Sequence, residues 1–489
     1  MNTAAGSNRR YDIDALRVIA FALLILYHVG MFYVPDWGWH VKSGYLFEWL
    51  KLPMTLLNQW RMTLLFLISG GAVQFLLRSG GPGRFAWSRI KRLLLPLLFG
   101  MAVVVPPQAY FQALSTGAFE GGYLEFLVCY FTFQPWPPGA FDGSHVGVTW
   151  NHLWYLPYLL AYSLLLAALL PLLRSRGGVA FVHWFRGLRG LRLWLLPVPP
   201  LVLATWWLSA RYPTTHDLLH DWHTHAQYLA VFLYGYWIGA DAGLWAELRR
   251  RRWWLLAAAA FTFAAFIWLR ETTVPEPSFA RALYDVAQRL NGWTWILLVL
   301  AWGHHLLNRP FRWLPYATQC VYPWYILHQT ITVSVGYTLA RLALGPWVEP
   351  ALVLAATVLG CVLITELIRR VGWLRPLFGM RPIQHPAAGT RPRQSGAGRG
   401  GLDSEARPGE ASQPSGDGAR LHERMTDTHM ALGSDLMTNA QEGYAVLKVA
   451  GKGEGLDSLR RMLSAPAASR RVEPGMSGNR GFGKWLRPR

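Results

Sequence analysis

The chain contains ten stretches of mostly apolar residues that are each long enough to cross a lipid bilayer. A spanning α-helix needs about 20 such residues. Only 15% of the 489 residues are charged, against about 25% in soluble proteins. The stretches run over residues 16–34, 54–77, 93–114, 152–173, 193–210, 227–244, 253–269, 289–307, 321–339 and 351–368. The sequence therefore predicts an all-α polytopic membrane protein with about ten transmembrane helices.

Residues 380–489 differ in composition from everything before them. They are rich in Gly, Ser, Ala, Pro and Arg and show no sustained apolar period. Such a segment buries too little apolar surface to offset the entropy cost of ordering the chain. We therefore expect two parts, a transmembrane domain at residues 1–379 and a low-complexity, mostly disordered tail at residues 380–489.

The basic residues are distributed unevenly between alternate loops. With the N-terminus placed on the inside, the inner loops carry 18 Lys and Arg, and the outer loops carry six. Cytoplasmic loops of membrane proteins are enriched in these residues, so both termini are predicted to be cytoplasmic. This asymmetry accounts for the net charge of +20 without a nucleic-acid partner. The only cysteines, Cys129, Cys320 and Cys361, are too few and scattered for a disulfide framework or a zinc knuckle.

The first apolar stretch holds two ionisable residues, Arg17 and His28. Their separation of 11 residues is close to three helical turns, which places them on one face about 16–17 Å apart along the axis. Asp14 lies one turn before Arg17 and is spaced to contact its guanidinium. Ionisable groups inside membrane spans are costly and are functional candidates by default. Lipid-headgroup contact by Arg17 and a simple hydrogen bond by His28 are the alternative interpretations.

Other polar residues occupy or border the later stretches. The second stretch contains Arg61 and the run Ser69-Gly70-Gly71, which predicts close approach of another helix. We expect the polar side chains to line a pore between the helices, the usual setting for proton transfer in a membrane. The further members of this set are Arg89, Arg92, His152, His328 and Glu366.

The ordered set of motifs resembles the acyltransferase-3 family of integral membrane acyltransferases, over nearly all of residues 10–379. The matching elements are Asp14-Ala15-Leu16-Arg17 with Tyr27-His28, Phe66-Leu67-Ile68-Ser69-Gly70, the Arg89, Arg92 and Pro96 run, His152-Leu153-Trp154, and His328. Within the family, the chain is similar to the branch of the periplasmic glucan succinyltransferase. The motifs that carry this are Trp39-His40-Val41, Gln59-Trp60-Arg61-Met62, Pro107-Gln108, and Glu366 to Arg370 ahead of Pro376-Leu377-Phe378-Gly379.

The resemblance implies a bacterial inner-membrane O-acyltransferase. Its donor would be acetyl-CoA or succinyl-CoA, used as a co-substrate rather than a tightly bound cofactor, and its acceptor an extracytoplasmic glycan. Arg17, Arg89 and Arg92 would then bind the CoA phosphates. The catalytic residues would be His28, as the general base, and Arg17. Arg61, His152 and His328 would position the acceptor or stabilise the oxyanion. No metal is expected.

Three alternatives remain open from the residues alone. Ten helices with intramembrane charges also suit a transporter or channel, although no internal repeat of the kind common in transporters is visible. A membrane acyltransferase acting on a lipid or a protein would also use a buried histidine. The stretch His216-Asp217-Leu218-Leu219-His220-Asp221 matches a glycerolipid acyltransferase signature and, with His223, a zinc-ligand spacing. We interpret it as a polar cap over the acceptor entrance.

Overall fold

A computed structural model describes residues 10–79, 81–239, 241–272 and 278–381. Every regular element in these ranges is helical, so the all-α prediction is confirmed for them. Apart from its first two positions, the predicted tail lies outside the described residues. The helices are α1 (Tyr11–Gly30), α2 (Lys51–Ser79), α3 (Pro82–Phe99), α4 (Pro106–Thr116), α5 (Tyr123–Tyr130), α6 (Tyr155–Leu173), α7 (Arg176–Arg186), α8 (Leu191–Leu195), α9 (Val198–Leu208), α10 (Trp222–Ile238), α11 (Ala242–Arg250), α12 (Arg252–Thr272), α13 (Phe279–Leu307), α14 (Leu314–Ala340), α15 (Val348–Arg370) and α16 (Leu374–Leu377).

Each of the ten predicted stretches coincides with helix, but fewer than ten meet the criteria of length and apolar composition for a membrane span. Five segments do so among the described residues, namely Tyr11–Gly30, Asn151–Leu173, Leu191–Leu208, Arg252–Thr272 and Val348–Arg370. A sixth is counted if the bent pair Pro82–Val104 and Pro106–Thr116 forms one span. The structure thus supports a membrane protein with five or six candidate spans, rather than the ten expected.

The other four predicted stretches lie on α2, α10, α13 and α14. Helix α10 is 17 residues long, and the four helices bury Arg61, Gln227, Asn291 and His328 respectively. Polar side chains in membrane helices face the bundle interior or a water-filled cavity rather than lipid. These helices contain fewer apolar residues because they supply the polar side chains of the bundle interior.

Glycines bring α2 and α10 into backbone contact. A Cβ atom added at Gly70 would lie 1.8 Å from the carbonyl oxygen of Phe232, and one added at Gly235 would lie 1.9 Å from that of Leu67. Only glycine permits this approach, since real Cβ atoms do not occupy such distances. The close helix contact predicted from Ser69-Gly70-Gly71 is confirmed at Gly70.

Prolines shape two other segments. The bend of 42° between α3 and α4 follows a π-helical turn at Gly100–Val104 and coincides with Pro106 and Pro107, which lack the backbone N–H of a continuous helix. Helix α9 begins at Val198, and two of its first three residues are proline. These prolines, together with Pro197, mark the break between α8 and α9.

Helices α1 and α14 run parallel and define the centre of the bundle. Phe21 contacts Tyr325, and His28 contacts His328 further along both helices. The start of α1 is fixed by the buried carboxylate of Asp12, which accepts hydrogen bonds from Arg10 and from Nδ1 of His304 at 2.7 Å. Packing against α13 and α14 thus sets the position of the polar residues on α1.

Candidate active site

A cavity of about 670 Å³ lies at the C-terminal end of α1. It is lined by three residues singled out from the sequence, His28, Arg61 and His152, and by Gln329 of α14. His152 belongs to a 3₁₀ turn, Asn151–Trp154, that leads into α6. Four separate elements therefore place polar groups around one space.

His28 and His328 form a buried pair at this cavity. Nδ1 of His28 lies 2.8 Å from Nε2 of His328, and the two ring planes differ by 7°. Nδ1 of His328 lies 2.9 Å from the carbonyl oxygens of Trp324 and Tyr325. Because a carbonyl oxygen only accepts, Nδ1 of His328 carries the hydrogen, and Nε2 of the neutral ring is an acceptor.

This arrangement fixes the tautomer of His28. Since Nε2 of His328 accepts, Nδ1 of His28 must donate, and Nε2 of a neutral His28 then holds the unshared electron pair. No described residue forms a hydrogen bond with that Nε2, and the ring lines the cavity. A base oriented by a second group through its other nitrogen is the arrangement used to activate hydroxyl nucleophiles.

Buried amide side chains hold two more imidazoles in place. Nε2 of Gln329 donates to Nε2 of His40 at 2.8 Å. Nδ1 of His152 lies 3.3 Å from Nε2 of Gln108, and Nε2 of His152 donates to the carbonyl oxygen of Ile326 at 3.1 Å. Both nitrogens of His152 are therefore occupied by protein groups, whereas His28 keeps one nitrogen for a ligand.

Arg61 is buried, with 3% of its surface exposed, and it lines the same cavity. Its guanidinium carbon lies 3.9 Å from the centre of the Tyr27 ring. Its Nε and Nη1 atoms are buried and have no hydrogen-bond partner. Burying a charged donor without a partner is costly, so this position favours a ligand that brings acceptor atoms.

The cavity wall also contains aromatic rings and part of the loop between α9 and α10. His216 stacks on Trp154 with ring centres 4.0 Å apart, and its carbonyl oxygen accepts a 2.8 Å hydrogen bond from Trp150. His216 has φ of 58°, a conformation that non-glycine residues adopt at a cost and often at functional sites. Burial lowers the pKa of His216 below its ordinary value. Aromatic faces with a few polar groups are typical of small-molecule sites.

Of the predicted cap residues, His216 and Asp217 line the cavity. His220 does not line the cavity, and its Nδ1 lies 2.9 Å from a carboxylate oxygen of Asp217. Within the described part of the chain, no group of three or more His, Cys, Asp or Glu side chains is arranged to hold a metal ion.

A second, smaller cavity of about 110 Å³ lies toward the other end of α1. It brings together Arg17, Arg89 and Arg92, the three residues grouped from the sequence, and adds Arg375 and Arg381. Guanidinium groups form paired, charge-assisted hydrogen bonds with phosphate oxygens. A pocket lined by five arginines therefore suits a polyphosphate ligand.

The two cavities meet at Tyr325, which lines both. Its hydroxyl donates to the carbonyl oxygen of His152 at 2.6 Å, and its ring packs edge-on against Phe21 with centres 5.3 Å apart. The sequence suggested one continuous pore from Arg17 to His28. The structure instead has two cavities with Tyr325 between them, because two bulky aromatic rings fill the middle of the helix interface.

Glu366, which the sequence predicts to line the pore, lines neither cavity. It accepts hydrogen bonds from Tyr316 at 2.8 Å and from Arg369 at 2.7 Å. The sequence analysis did not select Gln329 as a site residue. Its Nε2 lies within hydrogen-bond distance of His40, Gln108 and Asn151. Its position inside an apolar stretch, directly after His328, was the available signal.

Two comparisons with known proteins show which proteins the chain is similar to. The acyltransferase-3 family model, described as an acyltransferase domain, matches residues 10–366. Glucans biosynthesis protein C from one Escherichia coli strain is 22% identical over 396 residues, covering 77% of this chain and 96% of the relative. The protein of the same name from another strain is 21% identical over the same coverage. No solved structure gave a significant match. Because the family model spans well over half of the chain, the protein belongs to the acyltransferase-3 family and is a membrane acyltransferase.

Proposed function

We propose that the protein transfers an acetyl or succinyl group from cytoplasmic acyl-CoA to a hydroxyl group of an extracytoplasmic carbohydrate, such as a periplasmic glucan or a surface polysaccharide. The protein would lie in the bacterial inner membrane with both termini in the cytoplasm. The observation that carries the proposal is that His28, held by His328, lines an aromatic, polar cavity. That cavity shares Tyr325 with a pocket lined by arginines.

The donor end of the reaction uses the basic pocket. Arg17, Arg89 and Arg92 would bind the CoA phosphates, and the flexible pantetheine arm would extend along α1 toward His28. The distance between Arg17 and His28 along the helix is about 16 Å. Tyr325 lies on this route, so its ring must turn aside when the thioester reaches His28.

The acceptor end uses His28 as the general base. Its Nε2 removes the proton from the sugar hydroxyl while the oxygen attacks the thioester carbonyl carbon. The tetrahedral intermediate then breaks its C–S bond, the thiolate receives the proton from His28, and an ester and free CoA result. General-base catalysis of this kind contributes about 10²–10⁴-fold to the rate. Arg61 stabilises the oxyanion or holds the acceptor.

The test compares surface and periplasmic glycans by mass spectrometry in cells carrying the protein, cells lacking it, and cells carrying His28→Ala at equal membrane level. The matched control is His183→Ala, because His183 is exposed on α7. We expect an acyl ester that disappears with the protein and with His28→Ala but persists in the control. Ester levels unchanged by His28→Ala would contradict the role of His28. If the acyl ester is found on a lipid instead, the acceptor is a lipid and not a carbohydrate.

A further inference from the structure

A third cavity, of about 190 Å³, lies between α1 and α14. Its wall is almost entirely hydrocarbon and aromatic. The side chains that define it are Val18, Ala22 and Ile25 of α1 and Ala317, Cys320 and Trp324 of α14. Ala22 is exposed, so the pocket opens to the side of the bundle. The proposed reaction assigns no role to this pocket.

The apolar pocket lies directly beside the proposed reaction site. It shares Phe21, Val321 and Tyr325 with the arginine-lined pocket, and His328 closes its far end. His28 follows Ile25 by one turn on α1 and is hydrogen-bonded to His328. All three cavities therefore border Tyr325, and the apolar one ends at the histidine pair.

We infer that this pocket binds the hydrocarbon end of the acyl group while the thioester carbonyl lies beside His28. The inference rests on the proposed function and specifies its donor. In liquid water each molecule occupies about 30 Å³, so the pocket holds about six carbon-sized groups. Each buried methylene strengthens binding about fourfold. A terminal carboxylate loses its hydration in such a pocket and gains no cation, so the pocket favours uncharged short acyl chains over succinyl.

The first test measures kcat/KM for acetyl-, butyryl-, hexanoyl-, decanoyl- and succinyl-CoA with the full chain in lipid nanodiscs. We expect kcat/KM to rise up to about hexanoyl and to fall for decanoyl, with succinyl at least tenfold below butyryl. A profile that does not depend on chain length, or succinyl equal to butyryl, would overturn the inference.

The second test fills the pocket. Ala22→Leu and Ala317→Leu should each lower the ratio of hexanoyl to acetyl kcat/KM at least tenfold. The matched control is Ala355→Leu, because Ala355 is exposed on α15. An unchanged ratio in both pocket variants would refute the assignment.

A third measurement does not require turnover, which separates this inference from the proposed function. Hexanoyl-CoA carrying a terminal diazirine is photolysed on the unmodified protein, and the labelled peptides are identified by mass spectrometry. Labels on α1 and α14 around Ala22 and Cys320 support the pocket even if no acyl group is transferred. Labels confined to the cavity around Arg61, or on lipid-facing residues alone, would overturn it.

Discussion

Removing the His328 imidazole should impair catalysis through His28 rather than through the fold. In His328→Ala, Nδ1 of His28 loses its acceptor at 2.8 Å. An unsatisfied buried donor costs about 1–3 kcal/mol, and the ring is then free to adopt the other tautomer, which has no lone pair at Nε2. A loss of about 3 kcal/mol in transition-state stabilisation corresponds to a fall in kcat of about 10²-fold.

The assay follows thiol release from acetyl-CoA with a glucan oligosaccharide as acceptor, using purified protein, and separates kcat from KM. His28→Ala should lower kcat by about 10²–10⁴-fold. The double variant should be no worse than His28→Ala alone, because the two residues act as a unit. His328→Gln should recover part of the rate, since its amide oxygen is an acceptor. Additive losses, or full activity in His328→Ala, would refute the tautomer argument.

Three further outcomes follow from the structure. Arg89→Gln and Arg92→Gln should each raise KM for acetyl-CoA about tenfold through loss of a charge-assisted hydrogen bond. S-acetylpantetheine lacks the nucleotide phosphates, so it should react equally with both variants and with the unmodified protein. Gly70→Ala should destabilise the protein by about 1–3 kcal/mol, seen as a lower Tm, whereas Gly38→Ala, with nothing within 4 Å of its added Cβ, should leave Tm unchanged. Arg61→Gln should raise KM for the glucan oligosaccharide but not for acetyl-CoA; the reverse pattern would move Arg61 to the donor.

The bilayer explains why the helical segments were predictable. A fixed hydrocarbon thickness demands apolar stretches of similar length, and each predicted stretch contains helix in the described residues. Composition alone predicted more membrane spans than meet the criteria of length and apolar composition. The reason is that interior helices such as α2 and α14 carry polar residues among their apolar ones. The spacing of Arg17 and His28 was enough to predict that they share a helix face, since both lie on one helix.

Partners on different helices were not predictable in the same way. The bond from His28 to His328 crosses 300 residues of sequence and depends on the register of α1 against α14. That register is set by packing contacts such as Phe21 against Tyr325, which no local pattern specifies. The division of the expected pore into two cavities has the same origin, since it depends on where these two rings meet.

The partition at Tyr325 has a consequence for the cell as well as for the reaction. A water-filled passage between the two aqueous compartments would dissipate the ion gradients, and each charge that crosses 100 mV releases about 2.3 kcal/mol. With Phe21 and Tyr325 packed together, we expect the resting protein to conduct no ions along this route. Any movement that admits a substrate must therefore be brief or must be plugged by the substrate itself.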